Sequence, residues 1–312
     1  MTPPTIADVH AAEERIRPLA SVTPIHTCGT LDRLAGRKLF FKCELFQRTG
    51  SFKFRGATNA VQKLGDAEAS RGVVTHSSGN HAQALALAAQ QRGIPATVVM
   101  PRTAPRVKKE AVLGYGAAVI ECEPTLADRV RVAGEVVATT GAVLIPPFDH
   151  PDVIAGQGTI ALELLRQVPD LDAAIVPVGG GGMISGFCVA APSLRIIGAE
   201  PLAAGDAALS KRTGAVQPAF APTSIADGLL TSLGTLTWPF VRDRVERIVT
   251  VSEDEIRAAM RLVWERMKLL IEPSAAVGVA VALSDEFRFL DGLDRVGIVL
   301  CGGNVGLDKL YW

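Results

Sequence analysis

The heptapeptide Gly50-Ser51-Phe52-Lys53-Phe54-Arg55-Gly56 sets one lysine between two phenylalanines, with a glycine at either end. An ammonium enclosed by apolar rings is costly to keep charged, so its pKa falls and a neutral amine becomes available. Such an amine can condense with an aldehyde to form a Schiff base. The plain alternative is a surface lysine flanked by two core aromatics, since charged residues are seldom buried. The rest of the chain bears on the choice.

Upstream, Thr5 to Asp8 has the form of a capping box with Asp in place of Glu. Apolar residues at helical spacing follow to Leu19, and Lys38 to Cys43 reads as a strand. A helix is expected over Ala57 to Leu64. From Gly72 the rhythm becomes regular. Strands Val73 to His76, Ala96 to Met100, Ala118 to Cys122 and Ala142 to Ile145 alternate with helices His81 to Arg92, Pro105 to Tyr115 and Leu126 to Thr140. That alternation implies a compact parallel α/β subdomain. Pro146-Pro147-Phe148-Asp149-His150-Pro151 reads as the crossing back to a larger body. The expected division is therefore a small domain over 72–146 and a large one over 1–71 and 147–312.

In the larger part, helix Gly158 to Val168 and strand Ala173 to Val178 precede four consecutive glycines. Helix Ile184 to Ala191 and strand Arg195 to Ala199 come next, then an irregular stretch from Pro201 to Pro239. Strand Ile248 to Val251 leads to Ser252-Glu253-Asp254-Glu255, a capping box opening a helix to Leu270. Pro273 opens another to about Ser284, and Gly297 to Leu300 is the last strand.

The chain has 312 residues, 48% of them hydrophobic, with 32 basic and 32 acidic side chains. This is ample for a large core. Zero net charge gives no general pull toward nucleic acid or an anionic membrane, so a small-molecule substrate is expected. No apolar run is long enough to span a bilayer, and the N-terminus lacks the pattern of a signal peptide. Five scattered cysteines without a CxxC pair suit a reducing compartment, and the cytoplasm is the expected location.

Val176-Pro177-Val178-Gly179-Gly180-Gly181-Gly182-Met183 is the second strong signal. A strand running through glycines into a helix lets several N–H groups and a helix N-terminus surround one phosphate. The alternative is a flexible turn. A dinucleotide fingerprint needs glycines at i, i+2 and i+5 and fails in every register, although Glu200 stands near the distance of a ribose-binding acid. Ser77-Ser78-Gly79-Asn80-His81, between a strand and a helix, offers hydroxyls and N–H groups to an anion such as a carboxylate, and Asn80 could donate to a phenolate oxygen. Ordinary N-capping is the bland reading. Cys301-Gly302-Gly303-Asn304 ends a strand, where ligands of open α/β sheets gather, though a lone cysteine is more often a small core residue. A lysine amine, a cradle for one phosphate, a carboxylate loop and a weakly polar strand-end residue together fit pyridoxal 5'-phosphate.

These motifs resemble the fold-type II pyridoxal-phosphate enzymes, and within them the serine racemase and serine/threonine dehydratase family. The likeness runs from about Ser21 to Asp308. It is carried by Thr49 to Ala57, Ser77 to Leu85, Pro146 to Leu162, Gly179 to Met183, Trp264 to Gly278 and Cys301 to Val305. The resemblance implies a tryptophan synthase β-like α/β fold, two open twisted parallel-sheet domains with the cofactor between them. It implies that Lys53 holds the cofactor and Phe52 lies against its ring. Asn80 would bond the 3-hydroxyl, and Gly179, Gly180, Gly181, Gly182 and Met183 the phosphate, while Cys301 would face the pyridine nitrogen. Ser77, Ser78 and His81 would line the substrate carboxylate site. Glu200, the Ala204 carbonyl and Asp206 match the family's divalent-cation site for Mg²⁺, or Ca²⁺ or Mn²⁺, where the alternative is a solvated acidic turn. A homodimer is expected.

The implied reaction is dehydration of L-serine, L-threonine or a related 3-hydroxy amino acid to a 2-oxo acid and ammonia, with Lys53 as general base. Serine racemisation, with Ser78 as the second base on the opposite face, is the alternative, as is dehydration of 3-hydroxyaspartate. Ser78 could equally do no more than bond the carboxylate. Two departures stand out: Cys301 replaces the usual serine of the racemases, and Gly306 stands where an aspartate often follows Asn304-Val305. A nicotinamide dehydrogenase is disfavoured by the broken glycine fingerprint. A non-enzymatic sensor would require an inert lysine.

Overall fold

The computed structural model of the chain describes residues 1–104, 106–219, 223–308 and 311–312. The Thr5 capping box forms with Asp8 at its third position and opens α1 (Ile6–Ile16). β1 (Ile25–His26), α2 (Gly29–Ala35) and β2 (Lys38–Lys42) follow. Two 3-10 turns, Glu44–Phe46 and Arg48–Gly50, lead into α3 (Lys53–Lys63) and the short α4 (Asp66–Ala69). The helix expected from Ala57 thus begins at Lys53. Phe52 already has helical dihedrals, so the lysine sits on the first turn.

The alternation expected after Gly72 is present: β3 (Val73–His76), α5 (Asn80–Arg92), β4 (Ala96–Pro101), α6 (Arg106–Gly114), β5 (Ala118–Cys122), α7 (Leu126–Thr140) and β6 (Val143–Leu144). Pro105, the expected start of the second of these helices, lies outside the described residues. The four strands form one parallel sheet in the order β5-β4-β3-β6.

The remaining elements are α8 (Pro151–Gln167), β7 (Ala173–Pro177), α9 (Gly182–Ala190), β8 (Arg195–Pro201), α10 (Asp206–Thr213), α11 (Trp238–Arg244), β9 (Arg247–Val251), α12 (Glu253–Met267), α13 (Pro273–Leu283), α14 (Asp285–Arg288) and β10 (Arg295–Val299). Their sheet has the order β1-β2-β10-β7-β8-β9, parallel except for the β1–β2 pair. Several expectations need correction. α8 starts at Pro151, because the His150 ring accepts the Asp152 N–H at 3.2 Å and proline suits the first helical turn. α9 starts at Gly182, inside the glycine run. α12 stops at Met267, where Lys268 turns left-handed. The stretch from Pro201 to Pro239, expected to be irregular, holds among its described residues α10, the start of α11 and the 3-10 turns Leu202–Ala204 and Asp227–Leu229. These pieces are too short to display a helical period.

Strand order explains why distant motifs meet. β10 lies between β2 and β7, with Val299 opposite Lys42 and Ile298 opposite Ile175. The segments leaving these three neighbouring strands carry Lys53, Cys301 and the glycine run. They emerge at one carboxyl edge, where open α/β sheets bind ligands. The main core packs Phe41, Ile175, Val176, Phe187 and Ile298 around this sheet. A second core joins Phe54 of α3 to Leu85 of α5 and Met100 of β4. Each such buried side chain contributes ~1.5–3 kcal/mol. Phe54 therefore ties the lysine helix to the small sheet. Among the described residues no helix is long and apolar enough to cross a membrane.

Candidate active site

Lys53 opens α3 and is half-buried. Its Nζ donates to the Pro147 carbonyl at 2.8 Å and lies 5.1 Å from the centre of the Phe52 ring. Burial lowers its pKa to about 8, opposed by the Cys301 and Glu272 groups nearby. Near neutral pH an appreciable fraction is thus the free amine. Two residues on, the buried Arg55 pairs with Glu44 at 2.7 Å and with Glu163 at 3.0 Å, while Lys42 meets Glu163 at 2.5 Å. Such a network is costly to desolvate and costlier to leave half-made, so it fixes the start of α3 against β2 and α8.

The Cys301 segment is stitched to the lysine segment. Phe52 N–H donates to the Cys301 carbonyl at 3.0 Å, Gly303 N–H to Gly50 O at 2.9 Å, and Ser51 bridges Gly302. The Cys301 thiol is buried, and burial followed by the Glu272 charge pushes its pKa well above the ordinary value. It stays a neutral S–H.

The glycine run leaves β7, the strand next to β10. Gly181 takes φ +86, a left-handed conformation that caps α9 and that glycine adopts freely. A Cβ on Gly180 would stand closer to three ring atoms of Phe148 than any real contact. The run is braced from outside: Thr237 Oγ1 donates to Gly180 O at 2.8 Å, and Asp149 accepts the N–H groups of Thr235 at 3.0 Å and Leu236 at 2.8 Å. The first N–H groups of α9 have no intrahelical acceptor and remain for an anion. Met183 is buried on that first turn.

Asn80 opens α5, next to the half-buried Ser77 and Ser78. Its amide nitrogen donates to both oxygens of Glu272, at 2.9 and 3.1 Å, and its oxygen accepts from Asn304 Nδ2 at 2.8 Å. Glu272 and Asn304 went unassigned in the sequence. Their signal was Glu272-Pro273, a helix entrance aimed at the end of the last strand. His81 follows Asn80 on α5 and is buried. Its Nε2 meets the Ile145 carbonyl at 3.0 Å, which assigns the proton to that nitrogen, and Nδ1 has no partner among the described residues. Burial, with the Lys53 charge second, lowers its pKa to about 3. The neutral ring therefore presents a lone pair rather than a donor to a carboxylate, and its backbone N–H is left for that purpose.

Glu200, Ala204 and Asp206 lie together at the end of β8. Glu200 accepts the N–H groups of Ala207 and Ala208, each at 2.8 Å, so it caps α10. Burial raises Glu200 to about 8 and Asp206 to about 6, and Asp206 Oδ2 is buried without a partner among the described residues. An orphaned carboxylate oxygen beside a second buried carboxylate suits a hard dication completed by water. No group of three or more His, Cys, Asp and Glu that could hold a metal occurs among the described residues.

An amine of lowered pKa, a glycine cradle at a helix N-terminus and an oriented amide fit a phosphate-bearing aldehyde between them. The chain belongs to the pyridoxal-phosphate dependent enzyme family, whose profile matches residues 16–302. It is 51% identical over 313 residues to the β-hydroxyaspartate dehydratase of Paracoccus denitrificans (strain Pd 1222), covering 99% of both chains. It is 51% identical over 318 residues to the serine racemase of Homo sapiens, covering 99% of this chain and 94% of that one. The structure of maize serine racemase superposes with a TM-score of 0.97 at 46% identity, over 99% of this chain and 96% of the other. The fold is accordingly fold-type II, as the resemblance implied.

Proposed function

We propose that this enzyme removes water from a 3-hydroxy amino acid, among serine, threonine and 3-hydroxyaspartate, to give a 2-oxo acid and ammonia. The observation that carries the reading is Lys53, whose amine has a pKa lowered to about 8 and is held at the carboxyl edge shared by Cys301 and the glycine run. Bound pyridoxal phosphate supplies an electron sink for the carbon beside the substrate amine. Lys53 would hold the cofactor, and its free amine would take the α-proton as general base. The N–H groups of Gly179, Gly180, Gly181, Gly182 and Met183 would hold the phosphate, Asn80 would hold the 3-hydroxyl, and Phe52 would lie along the ring. The Cys301 thiol, kept neutral by burial, would stand toward the ring nitrogen and, unlike a carboxylate, would not hold a proton there. Ser77, Ser78 and the N–H groups at the start of α5 receive the substrate carboxylate. Glu200, Asp206 and the Ala204 carbonyl would hold a structural dication.

Racemisation of serine is the second reading. The same 51% identity to a serine racemase and to a dehydratase favours neither, and Ser78 supplies a hydroxyl next to the start of α5. Chiral product analysis with L-serine, L-threonine and 3-hydroxyaspartate separates the two. If Ser78 is the second base, Ser78→Ala retains 2-oxo acid release and loses formation of D-serine. D-serine formation at the wild-type rate in that variant removes Ser78 from the role. Absence of 2-oxo acid from all three substrates overturns the dehydratase reading.

A further inference from the structure

We infer that Glu272 is a positioning residue that fixes which end of the Asn80 amide faces the cofactor. The inference rests on the pyridoxal-phosphate reading above.

Glu272 is 4% exposed and precedes α13. Its backbone is set by its own N–H, which donates to Gly302 O at 3.1 Å. Its carboxylate takes Asn80 Nδ2 at 2.9 and 3.1 Å and the Asn304 backbone N–H at 3.2 Å. Asn304 in turn gives its side-chain nitrogen to Asn80 Oδ1 at 2.8 Å and to Thr49 O at 2.7 Å. A side-chain amide has one acceptor oxygen and two N–H hydrogens, and only its partners decide its orientation. Here both ends of Asn80 are read. With Glu272 ionised, a flipped amide would set its oxygen against the carboxylate and its NH₂ against the NH₂ of Asn304, two repulsive contacts in a buried place. The unflipped amide can reach both Glu272 oxygens with one shared hydrogen, which leaves its second for the phenolic oxygen of the cofactor. Glu272 reaches the cofactor only through Asn80, which is why its role is positioning.

Glu272→Gln is the test, because glutamine keeps the shape but both donates and accepts, so either orientation of Asn80 becomes satisfiable. Asn304→Ala releases the same amide from its other end. Three readouts are compared on the full chain: the absorption spectrum of the bound cofactor, the dissociation constant for pyridoxal phosphate, and the urea midpoint of the apo-enzyme. Both variants are expected to change the ratio of the cofactor's absorption bands. Each should weaken binding by about tenfold, the scale of one charge-assisted hydrogen bond. The apo midpoint should stay unchanged for at least one of them. Wild-type spectrum and affinity in Glu272→Gln overturn the inference, and so does a loss of affinity that only follows a loss of apo stability in both variants. Should Glu272→Gln fail to fold, Glu272→Asp, which withdraws the carboxylate by one methylene, is read by the same criteria. A wild-type chain that takes up no pyridoxal phosphate overturns the cofactor reading itself, which is a different result from a wild-type-like variant.

Discussion

Gly156→Ala probes how Lys53 is held in place. Gly156 lies in α8 where that helix crosses α3, and an added methyl would stand 2.6 Å from Gly56 Cα and 2.7 Å from Arg55 O. Both atoms are backbone of α3, so no change of rotamer relieves them. Non-bonded carbons rest at about 3.5–4.0 Å, which requires α3 to withdraw by about 1 Å. Overpacking of this kind costs about 1–3 kcal/mol. That is a fraction of a typical stability of about 5–15 kcal/mol, so the variant remains folded. Lys53 heads α3 and moves with it, and a displacement of about 1 Å at a reacting group lowers the rate by up to about a hundredfold. The assays are 2-oxo acid release at saturating substrate and the urea midpoint. Gly134→Ala is the control: it lies within α7 with nothing within 4 Å of the added methyl. It should gain about 0.5–1 kcal/mol and keep the wild-type rate. A Gly156→Ala enzyme with full turnover refutes the reasoning, as would an equal loss of rate in Gly134→Ala.

Burial lowers Lys53 to about 8. Only the neutral amine attacks an aldehyde, so capture of pyridoxal phosphate by the apo-enzyme should accelerate as pH rises and level off above about 8, measured by stopped-flow absorbance. A rate still climbing at the ordinary lysine value would show an unperturbed amine. A dication that binds at Glu200 and Asp206 only in the folded chain stabilises it by ~2.7 kcal/mol at a hundredfold excess over its dissociation constant. Mg²⁺ should therefore raise the melting temperature of the wild type and leave Asp206→Asn unmoved. Equal responses in the two would remove the metal assignment.

The sequence made most of the small sheet legible, because β3 to β6 and their helices are punctuated by glycine and proline and have clear periods. It also exposed the segments proposed to meet the cofactor. Lys53, the glycine run and Cys301 sit at strand ends or helix starts, where residue type alone limits the chemistry. The supporting residues were harder to see. Glu272, Asn304, Asp149 and Thr237 act by holding other residues, and each is far in sequence from what it holds. Glu272, for example, grips Asn80 across 192 positions. The same holds for the Lys42–Glu163–Arg55–Glu44 network, whose members read one by one as ordinary surface charges. α10 and α11 were missed for a different reason: they are 8 and 7 residues long, shorter than the window in which a helical period declares itself. The sequence proposes His81 for the substrate site, but which nitrogen bears its proton depends on Ile145, just past β6.

The central claim is that Lys53 carries the cofactor. Its most direct test is borohydride reduction of the enzyme loaded with pyridoxal phosphate, followed by proteolysis and mass analysis of every lysine peptide. A stable phosphopyridoxyl adduct on the peptide containing Lys53, absent from Lys53→Ala along with the visible absorption band, is the predicted result. An adduct confined to another lysine, or an undiminished band in Lys53→Ala, would contradict it.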